Sequence, residues 1–124
     1  MTRFSGFARG GGNKETPIQT DILKYLNTQK DIEAFRLSNH AVAGMRNGVQ
    51  FFRKDKWKML GLADICFFCK GVGAGFIEVK SKGGTLSTDQ KIFKFNCELY
   101  GVPFFMADNV SQIETEFKKR GWIK

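Results

Sequence analysis

The sequence predicts one α/β domain with a mixed β-sheet flanked by helices. Three observations predict it. Segments with apolar residues at helical spacing alternate with short apolar runs, in the order helix, strands, helix, strand, helix. Two of the helical segments open on a capping-box pattern. A length of 124 residues suits a single domain, and an apolar share of 42% suits a globular core.

Residues 1–14 hold Arg3, Arg9 and Lys14 among glycines, with Phe4 and Phe7 interleaved. They read as a flexible basic arm able to track a phosphate backbone, ahead of a domain over 15–124. The N-terminus has no apolar stretch of the kind a secretory signal carries, and no apolar run approaches membrane-spanning length. A cytoplasmic protein with no membrane partner is expected. In the first helix Thr16 is the expected cap, Pro17 the first helical position and Gln19 the capping-box partner, with Ile18, Ile22, Tyr25 and Leu26 on one face and an end near Thr28. Residues 33–43 read as a strand, and 44–50 as a turn-rich loop. Residues 51–60 are mixed, with Arg53, Lys54, Lys56 and Lys58 forming the densest basic stretch.

Two apolar segments, LADICFFCK and FIEVKSK, flank GVGAG and read as a hairpin turning through those glycines. Ser87 and Gln90 then make a second capping box, Ile92, Phe95, Leu99 and Tyr100 an apolar helical face, and Gly101 a stop. The run PFFMAD reads as a short buried strand. A last helix runs from Val110 to Arg120, with Val110, Ile113 and Phe117 inward and Gly121 after it.

Composition narrows the function. A net charge of +8 and a pI near 9.6 favour an anionic partner, nucleic acid first. The charge does not distinguish binding from cutting. Cys66 and Cys69 form a CxxC, but a structural zinc needs four ligands and only Cys97 and His40 remain, not spaced as a pair. No zinc is expected; the cysteines read as small core residues. His40 is the chain's one histidine, so a histidine-metal nuclease finger lacks its second ligand, and His40 reads as a polar strand residue.

The chemistry gathers in FIEVKSK. Alternation along a strand puts Phe76, Glu78, Lys80 and Lys82 on one face, with Ile77 and Val79 on the other. Glu-x-Lys alone is commonplace. Asp64 in the preceding segment adds a second carboxylate among apolar neighbours, where aspartate is a poor strand former. Two carboxylates on adjacent strands repel unless a cation lies between them, and magnesium takes hard oxygen ligands of this kind together with water and phosphate. Lys80 is placed to orient or deprotonate an attacking water. One difficulty is geometric. A symmetric turn through GVGAG pairs Lys70 with Phe76 and leaves Asp64 opposite Lys82, so a bulge, an uneven turn or a strong twist is needed.

Gly61 and Asp64, then Glu78-Val79-Lys80, then GGTLSTDQ ending at Gln90 resemble the signature of the virus-type replication-repair nuclease (VRR-NUC) family, within the PD-(D/E)XK nuclease superfamily. The resemblance runs from ETPIQTDILKYL to the last helix. It implies a restriction-endonuclease-like core. It implies Asp64, Glu78 and the Val79 carbonyl as ligands of Mg2+, with Mn2+ as a substitute, and Lys80 as the catalytic lysine. Gln90 would reach back to the site, and Glu15 would match the acidic residue of the family's first helix, helping to hold a second cation. Small members of the family act as homodimers on four-way DNA junctions, which implies a Holliday-junction resolvase in replication, recombination or repair.

Lys82, Lys91 and Lys94 beside the motif, and Arg53, Lys54, Lys56 and Lys58 as a second patch, would contact phosphates without reading bases. Structure-selective cutting is therefore expected. The chain has 13 phenylalanines, many for so small a core, which either fill that core or serve a subunit interface. The rival readings are a nuclease for flaps or DNA ends, and a non-catalytic basic nucleic-acid binder.

Overall fold

The computed structural model describes residues 14–37, 42–46, 49–53 and 57–124. The basic arm ahead of Lys14, His40, Lys54, Lys56 and the side chain of Arg53 lie outside the described part.

Helix α1 spans Glu15–Asn27 and begins earlier than the sequence pattern suggests. Lys14 takes the cap position without a side-chain cap hydrogen bond, and Thr16 and Pro17 sit inside the first turn. Proline is tolerated there because the first four helical N–H groups have no intrahelical acceptor to lose. Ile22 and Leu26 are buried, while Ile18 and Tyr25 pack partly against the same core.

The expected strand over 33–43 is divided between β1 (Ile32–Arg36) and β2 (Val42–Arg46). Part of the expected loop is also strand: β2 pairs antiparallel with β3 (Val49–Arg53), Arg46 opposite Val49, as a separate two-stranded sheet. Asn47-Gly48 between them is a strong hairpin signal, obscured in the sequence by the surrounding glycines and polar residues.

The main sheet has the order β1-β4-β5-β6, with β4 at Ile65–Cys69, β5 at Gly73–Val79 and β6 at Phe104–Ala107. Its first two pairings are antiparallel, and β6 joins β5 in parallel after helix α2 (Thr88–Leu99). Helix α3 (Val110–Lys119) follows, capped by the Asn109 side chain. The sheet is thus mixed and flanked by helices.

The β4–β5 hairpin does not turn through GVGAG. It turns over Lys70–Val72, with a hydrogen bond from Val72 N to Cys69 O, and Gly73, Ala74 and Gly75 belong to β5. Cys69 therefore faces Gly73 and Ile65 faces Ile77. No bulge is needed, because the early turn alone moves the register.

The sheet's two faces are used differently. On one, Phe67, Ile65, Ile77 and Val79 pack with Ile22 and Leu26 of α1 and Ile113 and Phe117 of α3. On the other, Ala63, Phe93 and Cys97 form a smaller cluster joined by Phe76 and Phe104. Helix α2 meets this second face through an unexpected stripe. Phe93 and Cys97 are buried, whereas Ile92, Phe95, Leu99 and Tyr100 are 54%, 61%, 64% and 79% exposed. Gln90, Phe93 and Cys97 stand at i, i+3 and i+7, so one helical face carries all three, and Gln90 faces the sheet to reach Glu78. Strand β6, expected to be buried, is an edge strand with Met106 exposed. Among the described residues no helix is long and apolar enough to cross a membrane.

Candidate active site

One step beyond the Ile65–Ile77 pair, the hairpin register sets Asp64 opposite Glu78. Asp64 stands immediately before β4 and is fastened on both sides. Its Oδ2 accepts a hydrogen bond from Val79 N at 2.8 Å, and its carbonyl accepts one from Leu37 N at 2.8 Å. Glu78 is 2% exposed, the one buried charged residue among the described residues. Its Oε2 accepts from Gln90 Nε2 at 3.0 Å and lies 3.7 Å from Lys80 Nζ. Its Oε1 is buried with no hydrogen-bond partner among the described residues.

The surroundings explain how these groups meet. Gly61 has φ +72°, and a Cβ there would stand 2.3 Å from Asp89 O. Only glycine lets this backbone lie against the first turn of α2, which brings the approach to Asp64 beside Gln90. The capping box fixes that turn: Ser87 Oγ accepts from Gln90 N at 3.2 Å, and Gln90 Oε1 accepts from Ser87 N at 2.8 Å. Lys80 leaves the end of β5 with its N–H on Ala107 O, and a Cβ on Gly84 would meet Lys80 Cβ at 3.3 Å. Gly61 and Gly84 of the sequence motif therefore act as close-approach points, a role that motif spacing alone does not reveal.

Glu15, the first residue of α1, accepts a hydrogen bond from Ser81 N at 3.1 Å. Its charge is close enough to raise the pKa of Glu78, though among the described residues no three His, Cys, Asp or Glu side chains form one metal-holding group. Of the candidate phosphate contacts, Lys82 and Lys91 are exposed, Lys58 is half-buried, and Lys94 is ion-paired with Glu98 at 2.8 Å.

Burial, first, pushes the Glu78 carboxyl up to about 8; the neighbouring Asp64 carboxylate adds to the rise, while Lys80 opposes it. An acid so placed, with an unsatisfied oxygen, has two ways to reach balance: hold a proton or meet a cation. Two carboxylates suit magnesium, which keeps several waters and substrate oxygens in its shell and needs no all-protein cage. The donor set is of the kind a hard divalent cation takes, and Asp64 and Glu78 are the side chains that would hold it.

Cys66 and Cys69 lie in β4 an odd number of residues apart, so they face opposite sides of the sheet. Burial pushes all three thiols up from their ordinary values. A larger cleft of about 660 Å³ sits at the hairpin end, lined by Asp31, Phe68, Lys70 and Gly73, at the other end of β4 from Asp64.

Compared with protein-family models, curated proteins and solved structures, the chain has no significant match to any. The resemblance to the VRR-NUC signature thus rests on the motif residues themselves.

Proposed function

We propose that this chain is a magnesium-dependent DNA endonuclease of the VRR-NUC type with a PD-(D/E)XK core, acting on branched DNA as a four-way junction resolvase. The observation that carries the reading is the register of β4 against β5. It sets Asp64 across from a buried Glu78 whose Oε1 lacks a partner, with Lys80 Nζ beside the same carboxylate.

The geometry supports the following division of labour. Asp64 and Glu78 would hold the cation, with the Val79 carbonyl on the same strand as the further ligand the resemblance implies. When bound, a divalent cation supplies a polarised phosphoryl oxygen and a water of lowered pKa. Lys80 orients the attacking water and adds positive charge where negative charge develops on the phosphate. Gln90 holds one Glu78 oxygen by its amide N–H, leaving the other to serve as ligand. Glu15 adds negative charge at the rim. Manganese, another hard divalent ion, would substitute.

A homodimer matches two equivalent cuts in a junction with two equivalent sites. The exposed stripe of α2 supports a second copy of this chain as the occupant of that face. Ile92, Phe95, Leu99 and Tyr100 are each more than half exposed, presenting roughly 100 Å² or more apiece, a large share of the about 800 Å² per partner in a standard interface. Two acids and two bases flank them, Asp89 and Glu98 against Lys91 and Lys94, so this face adds no net charge to the repulsion between two chains of charge +8. The enzyme is read as cytoplasmic, where its free thiols stay reduced.

The test is a substrate panel. Four-way junction, flap, blunt duplex and single strand are incubated with Mg2+, with Mn2+ and with EDTA. Wild type is expected to cut the junction fastest, and only with a divalent ion. Lys80→Ala and Asp64→Asn are expected to cut at least about a thousandfold more slowly while keeping their circular dichroism. Equal retardation of all DNAs with no cleavage would overturn the nuclease in favour of a basic binding domain; preference for flaps or ends would overturn the junction assignment alone.

A further inference from the structure

A second cleft adjoins the candidate site. It measures about 430 Å³ and is lined by Thr16 and Gln19 of α1, Arg36 and Leu37 at the end of β1, and Ala63 and Asp64. Arg36 is the cation in this lining. Its Nε donates to Gln19 Oε1 at 3.0 Å and its Nη2 to Thr20 Oγ1 at 2.7 Å. Both acceptors are neutral and both belong to α1. Among the described residues no carboxylate lies within ion-pair distance of Arg36, whereas Arg120, at the end of α3, is neutralised by Glu116.

A guanidinium carries five N–H donors in a rigid fork. Two neutral hydrogen bonds orient this one without spending its charge. The first turn of α1 bounds the same cleft through Thr16 and Gln19, and the Lys14 side chain does not cap that turn. Donors and charge converge next to Asp64, the wall shared with the candidate metal site.

We propose that this cleft is a phosphate subsite, in which Arg36 binds a non-bridging oxygen of a DNA phosphate neighbouring the one cleaved. The inference rests on the nuclease reading and adds a binding residue that sequence motifs did not mark. Charge balance sets a condition on it. Asp64, in the lining, repels an anion from the cleft while the site lacks a cation, so Arg36 contributes most when a divalent ion neutralises that carboxylate.

DNA binding measured without cleavage tests this. All proteins carry Lys80→Ala, and a fluorescent duplex is titrated by anisotropy over a range of salt, with Mg2+ and with EDTA. Adding Arg36→Gln should weaken binding on the order of tenfold in Mg2+ and lower the slope of log K against log salt by about one. The loss should be smaller in EDTA, and Arg36→Lys should keep the slope. A neutral methylphosphonate walked along the strand should weaken the parent at one position next to the scissile phosphate and leave the Arg36→Gln protein indifferent there. A merely structural link between β1 and α1 would lower the melting temperature and leave the salt slope unchanged, overturning the subsite. Equal affinities and slopes for parent and variant overturn it too, with the nuclease reading intact. No DNA binding by the parent overturns both.

Discussion

The two faces of the main sheet carry different kinds of order. The face under α1 and α3 is closed: Phe67 and Phe117 are fully buried, with ring centroids 5.0 Å apart, and Trp122 packs 5.1 Å from Phe117. The face under α2 is half open. Phe93 and Phe76 meet at 5.0 Å, yet Phe68 and Met106 on the same side stay exposed. Glu78 and Gln90 belong to the open face. A buried carboxylate is costly anywhere, and where packing is thinner its partners must be specified one by one: Gln90, Lys80 and, across the register, Asp64. The closed face supplies stability; the open one holds polar groups in place at stability's expense.

Core truncation draws the sharpest contrast. Phe67→Ala should cost about 3–5 kcal/mol and lower the melting temperature by roughly 15 °C, with cleavage per folded molecule little changed. Phe93→Ala should cost less stability but depress cleavage further, because α2 carries Gln90. Thermal melts paired with single-turnover rates check this, and the reverse ranking would break the contrast between faces.

Acidity gives the next effect. Since the folded pKa of Glu78 is raised to about 8 from an ordinary 4.5, the native protein keeps a proton that the unfolded chain has lost. Metal-free stability from this group is therefore highest below about pH 4.5 and falls as pH rises toward 8, by at most about 1.4 kcal/mol per pH unit. The expected result is a melting temperature that declines over this window in wild type relative to Glu78→Gln. Mg2+ should restore more of it at pH 8 than at pH 5.5, because binding must displace the proton. Parallel curves for the two proteins would remove Glu78 from the account.

Smallest in stability, though not in assembly, is the outer stripe of α2. Phe95→Asp should change monomer stability by less than about 0.5 kcal/mol and shift light scattering from dimer to monomer. A wild-type monomer at micromolar concentration would remove the second copy from that face.

Much of this was legible in the sequence, and the exceptions share a cause. The Ser87 start of α2 and the stop at Gly121 are local, and local chemistry is written in adjacent residues, although the similar Thr16–Gln19 pattern lies inside α1, whose cap position is Lys14. The Ser87–Gln90 box forms as the pattern says. The face of α2 was not legible, because the helix has two apolar stripes and the buried one is chosen by what Gln90 must touch. The turn was misplaced for a similar reason. Five residues with three glycines suggest a loop, but Gly75 lies in β5 opposite Phe67, whose ring a Cβ would meet at 2.3 Å. That glycine makes room for a core ring, which only the packed sheet reveals. Arg36 carried no motif at all; its interest comes from Gln19 and Thr20, 17 and 16 residues away.

The amide of Gln90 has one workable orientation. Its oxygen is spent on Ser87 N and its nitrogen on Glu78; rotating it by half a turn would set oxygen against carboxylate at one end and N–H against N–H at the other. Fraying at the head of α2 and release of the glutamate are consequently a single event. The grammar that begins a helix also works here as a latch on an acid.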